Sequence, residues 1–167
     1  MTLSLKRFGM NLVVLILIVS CAPQGVFSLE KDAYFAGGCF WCLEHDFEEM
    51  KGVISAQSGY AGGTLLEPTY RNHEGHQESV RVKYNPDVIT YEDLLRGFWR
   101  NVDPSDDGGQ FCDRGDSYRP VIFPSDDQQY ESAQLSIKRA SSELDIPKKD
   151  LKVRINRLNK FLFALTL

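Results

Sequence analysis

Basic charge, cysteine and long apolar runs are all scarce in this sequence of 167 residues. Nineteen Lys and Arg against 23 Asp and Glu leave a net charge of −4, without the basic excess that a nucleic-acid binder usually shows. Four cysteines are too few to staple a miniprotein, though enough for redox or metal chemistry. The apolar run at residues 12–19 holds eight residues, whereas a membrane-spanning helix needs about 20. There is no internal repeat and no low-complexity linker. With 43% hydrophobic and 25% charged residues, what remains is one ordinary globular domain with a real core.

The first twenty residues read as a processing segment rather than part of that domain. Lys6 and Arg7 form a positive n-region ahead of the short apolar run, the proportions of a signal-peptide core. Ile18-Val19-Ser20-Cys21 resembles a bacterial lipobox, in which Cys21 is lipidated and becomes the mature N-terminus. The other reading is an ordinary secretory signal cut nearer Pro23 or Ser28, with Cys21 lost. Both export the chain, as a membrane-anchored lipoprotein on the periplasmic or cell-surface side or as a secreted protein. Residues 1–20 are then signal peptide, 21–31 a linker, and 32–167 the folded domain. Cys39, Cys42 and Cys112 are left for chemistry, an odd number of thiols for an oxidising compartment.

Strands and helices alternate through the rest. Residues 32–36 read as a strand stopped by Gly37-Gly38. Phe40, Leu43, Phe47 and Met50 then recur at helical spacing, and Gly52 ends the helix. A second strand is expected at 53–58 and a polar loop over 64–77. Residues 79–84 form a half-buried strand with Val80, Val82 and Tyr84 on its inner side. Thr90 and Asp93 form a capping box for a helix whose apolar face is Leu94, Leu95, Phe98, Trp99 and Val102. A strand at 118–123, with Pro120 marking an edge or a beginning, precedes a helix capped by Ser125 and Gln128 and reaching about Leu144. The pattern predicts an α/β (α+β) two-layer sandwich around one mixed sheet.

Chemistry concentrates in Gly37-Gly38-Cys39-Phe40-Trp41-Cys42. Cys39 follows a glycine turn at the start of a helix, where free backbone N–H groups and the helix dipole favour a thiolate. That is where a nucleophilic cysteine belongs. Other readings of the same residues are buried packing for Cys39 and Cys42, a zinc site adding His73 and His76, and a thioredoxin-like pair. The His-x-x-His gap is short for zinc, and neither the Trp before the first cysteine nor the Pro before the second that mark the thioredoxin motif is present.

These six residues resemble the signature of the peptide methionine sulfoxide reductase A family. The likeness continues through Ser58-Gly59-Tyr60-Ala61-Gly62-Gly63, Pro68-Thr69-Tyr70, Gly75-His76-Gln77-Glu78-Ser79-Val80 and Phe98-Trp99-Arg100-Asn101-Val102-Asp103-Pro104. It is densest over Gly109-Gln110-Phe111-Cys112-Asp113-Arg114-Gly115-Asp116-Ser117-Tyr118-Arg119. The resemblance implies a two-layer sandwich with a ferredoxin-like core. It also implies reduction of methionine S-sulfoxide, free or in peptides and oxidised proteins. By the same resemblance Cys39 attacks the sulfoxide sulfur and becomes a sulfenic acid. Glu78 donates a proton to the oxygen, Tyr70 and Tyr118 bond that oxygen, and Asp113 organises the group. Phe40 and Trp41 hold the substrate methyl. No metal or organic cofactor is implied, only an external thiol reductant of the thioredoxin type.

The resolving thiol is Cys112 or Cys42. Cys112 is favoured by its place in the densest block, while a bond between Cys39 and Cys42 would strain a regular helix. The chain departs from the family pattern twice. The loop between Tyr70 and Glu78 is short, and Leu165-Thr166-Leu167 stand where an acidic, Tyr- and His-containing block is usual. Phe161, Leu162, Phe163 and Leu165 then have to pack on the domain or stand exposed. The alternative to an enzyme is a non-catalytic redox or zinc-binding module on the same scaffold.

Overall fold

In the computed structural model, which describes residues 29–164, the first strand (β1) is Lys31–Ala36. Lys31, read above as the last linker residue, already pairs with Tyr84. Cys21 and the rest of the expected signal segment lie outside the described residues, as does Leu165. The helix after β1 is α1, Phe40–Glu48, and is followed by β2 (Val53–Ala61), β3 (Gln77–Tyr84) and α2 (Tyr91–Arg100). A small hairpin of β4 (Gly109–Gln110) and β5 (Asp113–Arg114) comes next, then β6 (Val121–Ile122) and α3 (Asp127–Glu143). Two short strands close the order, β7 (Arg154–Ile155) and β8 (Phe161–Phe163).

Among the described residues, six strands form one sheet in the order β7-β6-β1-β3-β2-β8. All neighbours are antiparallel except β6 and β7, so the sheet is mixed. Its central four, β6-β1-β3-β2, with α1 and α2 as crossovers, reproduce a split βαβ pair, the ferredoxin-like arrangement. Alternation along β1 divides the two faces. Phe35 points toward the helices and stacks on Phe47 of α1 and on Tyr91 and Phe98 of α2, with centroids 5.0–6.1 Å apart. Such aromatic pairs add about 0.5–1.5 kcal/mol each beyond burial, so one residue ties the strand to both helices. Ala36 faces the other way, into a smaller cluster with Ala61, Val121 and Phe123, against which Tyr34, Leu158 and Phe161 pack. Helices therefore cover one face, and the C-terminal segment covers part of the other.

The expected capping box of α2 is present: Thr90 Oγ1 accepts from the Asp93 N–H at 3.1 Å, and Asp93 accepts from the Thr90 N–H at 3.2 Å. The cap of α3 differs from expectation by one residue. Asp126, not Ser125, is the N-cap, accepting from the Gln129 N–H at 2.7 Å. Ser-Asp-Asp-Gln-Gln offers two registers of the same motif. The tertiary bond from buried Gln129 to the Asp32 carbonyl of β1, 2.7 Å, selects the second. The strand expected over 118–123 is also shorter. Only Val121–Ile122 pair, and Tyr118 ends a single 3-10 turn, Asp116–Tyr118. Pro120 marks the strand's beginning rather than an edge, because β7 pairs along the outer side of β6.

The second strand runs past Ser58 to Ala61, and this extension seats β8, with Gly59 opposite Phe163 and Ala61 opposite Phe161. Gly59 is required there by close approach. A methyl group on it would stand 2.5 Å from the Leu162 carbonyl oxygen and against the Phe161 ring. Gly59→Ala is expected to lower the urea midpoint by an amount equivalent to about 1–3 kcal/mol of overpacking. An unchanged midpoint would show that β8 is not held against β2 in solution.

Candidate active site

The turn at Gly37-Gly38 brings the chain from the end of β1 into α1. Gly38 has φ +92°, and a side chain on it would meet Cβ of buried Gln110 at 2.9 Å. Gln110 locks this region from below. Its Oε1 accepts from the Asp103 N–H at 2.6 Å, and its Nε2 donates to the carbonyls of Asp103 and Gly109 at 3.0 and 2.7 Å. One satisfied side chain thus holds the α1 turn, the end of α2 and the β4–β5 hairpin in register.

Cys39 is the N-cap of α1, with non-helical φ −57°, ψ 118°, and its side chain makes no capping hydrogen bond. The thiol is therefore not consumed by the helix it precedes. The Phe40 N–H, the first free donor of the helix, points instead at Glu78 Oε2, 3.2 Å away. Glu78 is 1% exposed and enters from β3, directly opposite Tyr60 of β2. Its second oxygen, Oε1, is buried with no hydrogen-bond partner among the described residues. Burial pushes the Glu78 carboxyl above the ordinary range, and the charge of Asp113 adds to this. The Phe40 N–H and the nearby His73 pull the other way. A carboxyl held toward its neutral form, with one oxygen unpartnered, is a proton donor lacking only an acceptor.

Aromatic rings enclose the same spot. Trp41 and Tyr70 are 58% and 47% exposed and stack on each other at 5.3 Å, and Phe40 lies behind both. Tyr118 comes from the 3-10 turn before β6. Its hydroxyl is kept protonated by burial and by the charges of Glu78, Tyr70, Asp113 and Cys39. Asp113 in β5 bears electrostatically on Glu78, Tyr118 and Cys42. The fold therefore assembles Cys39, Phe40, Trp41, Tyr70, Glu78, Asp113 and Tyr118 at one end of the sheet.

Cys42 belongs to this group as well. Its thiol is pushed up by burial first and then by the neighbouring Cys39 thiol. The strain expected for a Cys39–Cys42 bond presumes that both residues are helical. Cys39 is outside the helix, which removes that objection. Cys112 is exposed in the turn between β4 and β5, after Phe111, whose φ is +51°.

Two residues with a place in the site were not singled out for it by sequence reasoning. Tyr60 is buried beside Glu78, and desolvation followed by the Glu78 charge pushes its hydroxyl up to about 12. His73 stacks on Tyr60 at 5.1 Å and donates from Nδ1 to the Thr69 carbonyl at 3.0 Å. The short loop after Tyr70 delivers it there, a placement that no local sequence signal shows. His76 has a structural task. Its Nδ1 accepts from the Gly63 N–H at 3.3 Å, and its Nε2 donates to the Leu65 carbonyl at 2.9 Å. Both ring nitrogens are occupied, so His76 offers no lone pair to zinc.

A thiol at an open helix start, set against a buried unpartnered carboxyl and rimmed by aromatic rings, defines a cysteine-based redox site. The family model described as peptide methionine sulfoxide reductase matches residues 31–166, and the chain belongs to that family. It is 54% identical over 106 residues to peptide methionine sulfoxide reductase MsrA 2 of Caulobacter vibrioides, covering 61% of this chain. The match spans about half, 54%, of that relative's length. Methionine sulfoxide reductase A of Corynebacterium diphtheriae superposes with a TM-score of 0.75 at 27% identity, covering 81% of this chain and 70% of that one. Mxr1 from Saccharomyces cerevisiae, solved in complex with Trx2, shares the fold with a TM-score of 0.61 at 22% identity, over 81% of each chain.

Proposed function

We propose that this chain is a repair oxidoreductase that returns L-methionine S-sulfoxide to methionine, in oxidised proteins and peptides and as the free amino acid. The observation that carries this reading is the orphaned Glu78 Oε1 beside Cys39. A sulfoxide oxygen supplies the missing acceptor and carries the developing negative charge that a proton from Glu78 neutralises. The Cys39 sulfur attacks the sulfoxide sulfur, Glu78 protonates the oxygen with Tyr70 and Tyr118 bonding it, and Asp113 organises these groups. Phe40 and Trp41 hold the methyl group. The oxygen leaves with Cys39 as a sulfenic acid, and methionine departs as the thioether. A second thiol then displaces water to form a disulfide, which a dithiol donor reopens.

Cys42 is the better supported resolving thiol, because it lies close enough to Cys39 for the two thiols to influence each other and the start of α1 leaves Cys39 non-helical. Cys112 is the alternative, carried by an exposed turn. With a thioredoxin donor, Cys42→Ser is expected to release one methionine per chain and then stall, while Cys112→Ser keeps turning over. The reverse pattern would assign the role to Cys112. A thioredoxin-type partner is consistent with the Mxr1–Trx2 complex, and no cofactor beyond this external reductant enters the scheme. The acidic balance of the chain supports a role without nucleic acid. The leader supports export, with a lipid on Cys21 as membrane anchor or, after cleavage further on, as a secreted protein. Electrospray mass of the protein recovered from membranes, before and after lipase, tests the anchor.

The test of the activity is methionine release from a peptide S-sulfoxide with dithiothreitol, run beside the R-epimer. Release from the S-epimer alone is expected. A folded chain that releases methionine from neither would leave a non-catalytic redox module as the reading, which no feature of the site favours over the enzyme.

A further inference from the structure

A cleft of about 760 Å³ opens beside the reaction centre, lined by Phe40, Trp41, Tyr60 and Tyr70 on the catalytic side. Neither Cys39 nor Glu78 lines it, so it is an extension of the site and not the place where sulfur reacts. Its volume falls in the range of pockets that take ligands far larger than one methionine side chain. The far wall is Glu44 of α1, Gln57 and Ser58 of β2, and Phe163 of β8. Glu44 is the one charged residue among these, and it is half-buried.

Ser58 Oγ donates to Glu44 Oε2, fixing the carboxylate toward the cleft. A carboxylate has about four lone-pair positions, so most of its accepting capacity stays open. Among the described residues no Lys, Arg or His forms an ion pair with Glu44. The Arg81 guanidinium lies 5.6 Å from the Phe163 ring centroid but is already bound to Asp32 at 2.8 Å. A half-buried carboxylate without a cation, facing exposed rings of Trp41, Tyr70 and Phe163, is the chemistry that receives an ammonium or guanidinium group.

Resting on the reductase reading above, the geometry points to a specificity subsite: Glu44, with the Trp41, Tyr70 and Phe163 rings, binds a lysine or arginine side chain flanking the methionine sulfoxide of the substrate. The enzyme then repairs methionines in basic surroundings in preference to neutral ones.

Two acetylated peptides that differ only in carrying arginine or glutamine on either side of methionine S-sulfoxide test this. With dithiothreitol at low salt, the arginine peptide is expected to show about five- to tenfold higher kcat/KM, falling as salt is added. Glu44→Gln, which retains an acceptor for Ser58, brings the ratio to about one. Glu48→Gln, the same charge change at an exposed position of α1, leaves the ratio as it was. Because the readout is a ratio, a general loss of activity does not move it. Equal kcat/KM for the two peptides overturns the subsite, as does a preference that survives Glu44→Gln or falls equally in Glu48→Gln. Calorimetric binding of both peptides to Cys39→Ser separates this proposal from the reductase reading. Tighter binding of the arginine peptide without turnover by the wild type would overturn the reductase reading and leave the subsite standing.

Discussion

Replacing Cys39 with serine is expected to lower methionine formation from a peptide S-sulfoxide by at least about a thousandfold with dithiothreitol as reductant. Dithiothreitol reduces a sulfenic acid directly, so this reaction needs neither a resolving thiol nor a protein donor. The only protein sulfur it requires is the one that attacks. A serine hydroxyl in the same place stays protonated and is a poor nucleophile toward sulfur. The fold should survive the change, because the Cys39 side chain caps nothing and the Phe40 N–H bond to Glu78 comes from the backbone. Thermal unfolding of Cys39→Ser close to that of the wild type, together with the lost rate, isolates the nucleophile. Equal rates in the two proteins would sink the mechanism outright.

Glu78→Gln separates proton donation from packing. An amide of nearly the same shape accepts from the Phe40 N–H as the carboxyl does, but it cannot pass a proton to the sulfoxide oxygen. The methionine-forming step is expected to slow by about a hundred- to ten-thousandfold, the usual worth of a positioned general acid. In the wild type the rate should fall as pH rises past the Glu78 pKa, which burial holds above the ordinary carboxylate range. That alkaline limb should be missing from Glu78→Gln.

Stability must move with the same ionisation. The folded pKa lies above the unfolded value of about 4.3, so the wild type keeps its full stability below that pH. Stability is then lost as pH rises through the folded pKa, because the buried carboxyl must ionise. The amide does not titrate. Glu78→Gln should therefore gain stability relative to wild type, its unfolding free energy growing larger by comparison, from pH 4 toward pH 8. A difference that stays constant over this range would show that Glu78 is not buried in solution as it is here.

The local elements were legible before any coordinates. The spacing of Phe40, Leu43 and Phe47 gave α1 its inner face, and Val80, Val82 and Tyr84 gave β3 its own, because period 3.6 and period 2 are local properties of the backbone. The Thr90–Asp93 box could be read for the same reason: both partners lie within one turn. Where two local registers were equally good, as in Ser-Asp-Asp-Gln-Gln before α3, the choice fell to a bond with β1 made 97 residues away in sequence.

The site divides along the same line. Cys39 at a helix start is a local fact, and the resemblance supplied the remaining partners by position in the chain. What no local pattern contains is the burial of Glu78 to 1% and the hydrogen bond from Phe40, 38 residues away, that leaves Oε1 without a partner. A glutamate opening a strand is ordinarily solvated. Its carboxyl is held toward the neutral form only because β2, α1 and the loop carrying His73 close around it. The non-helical geometry of Cys39, the stacking of His73 on Tyr60 and the cleft between Glu44 and Phe163 are likewise tertiary. Desolvation and long-range packing set the chemistry of this site, and both depend on neighbours distant in the sequence.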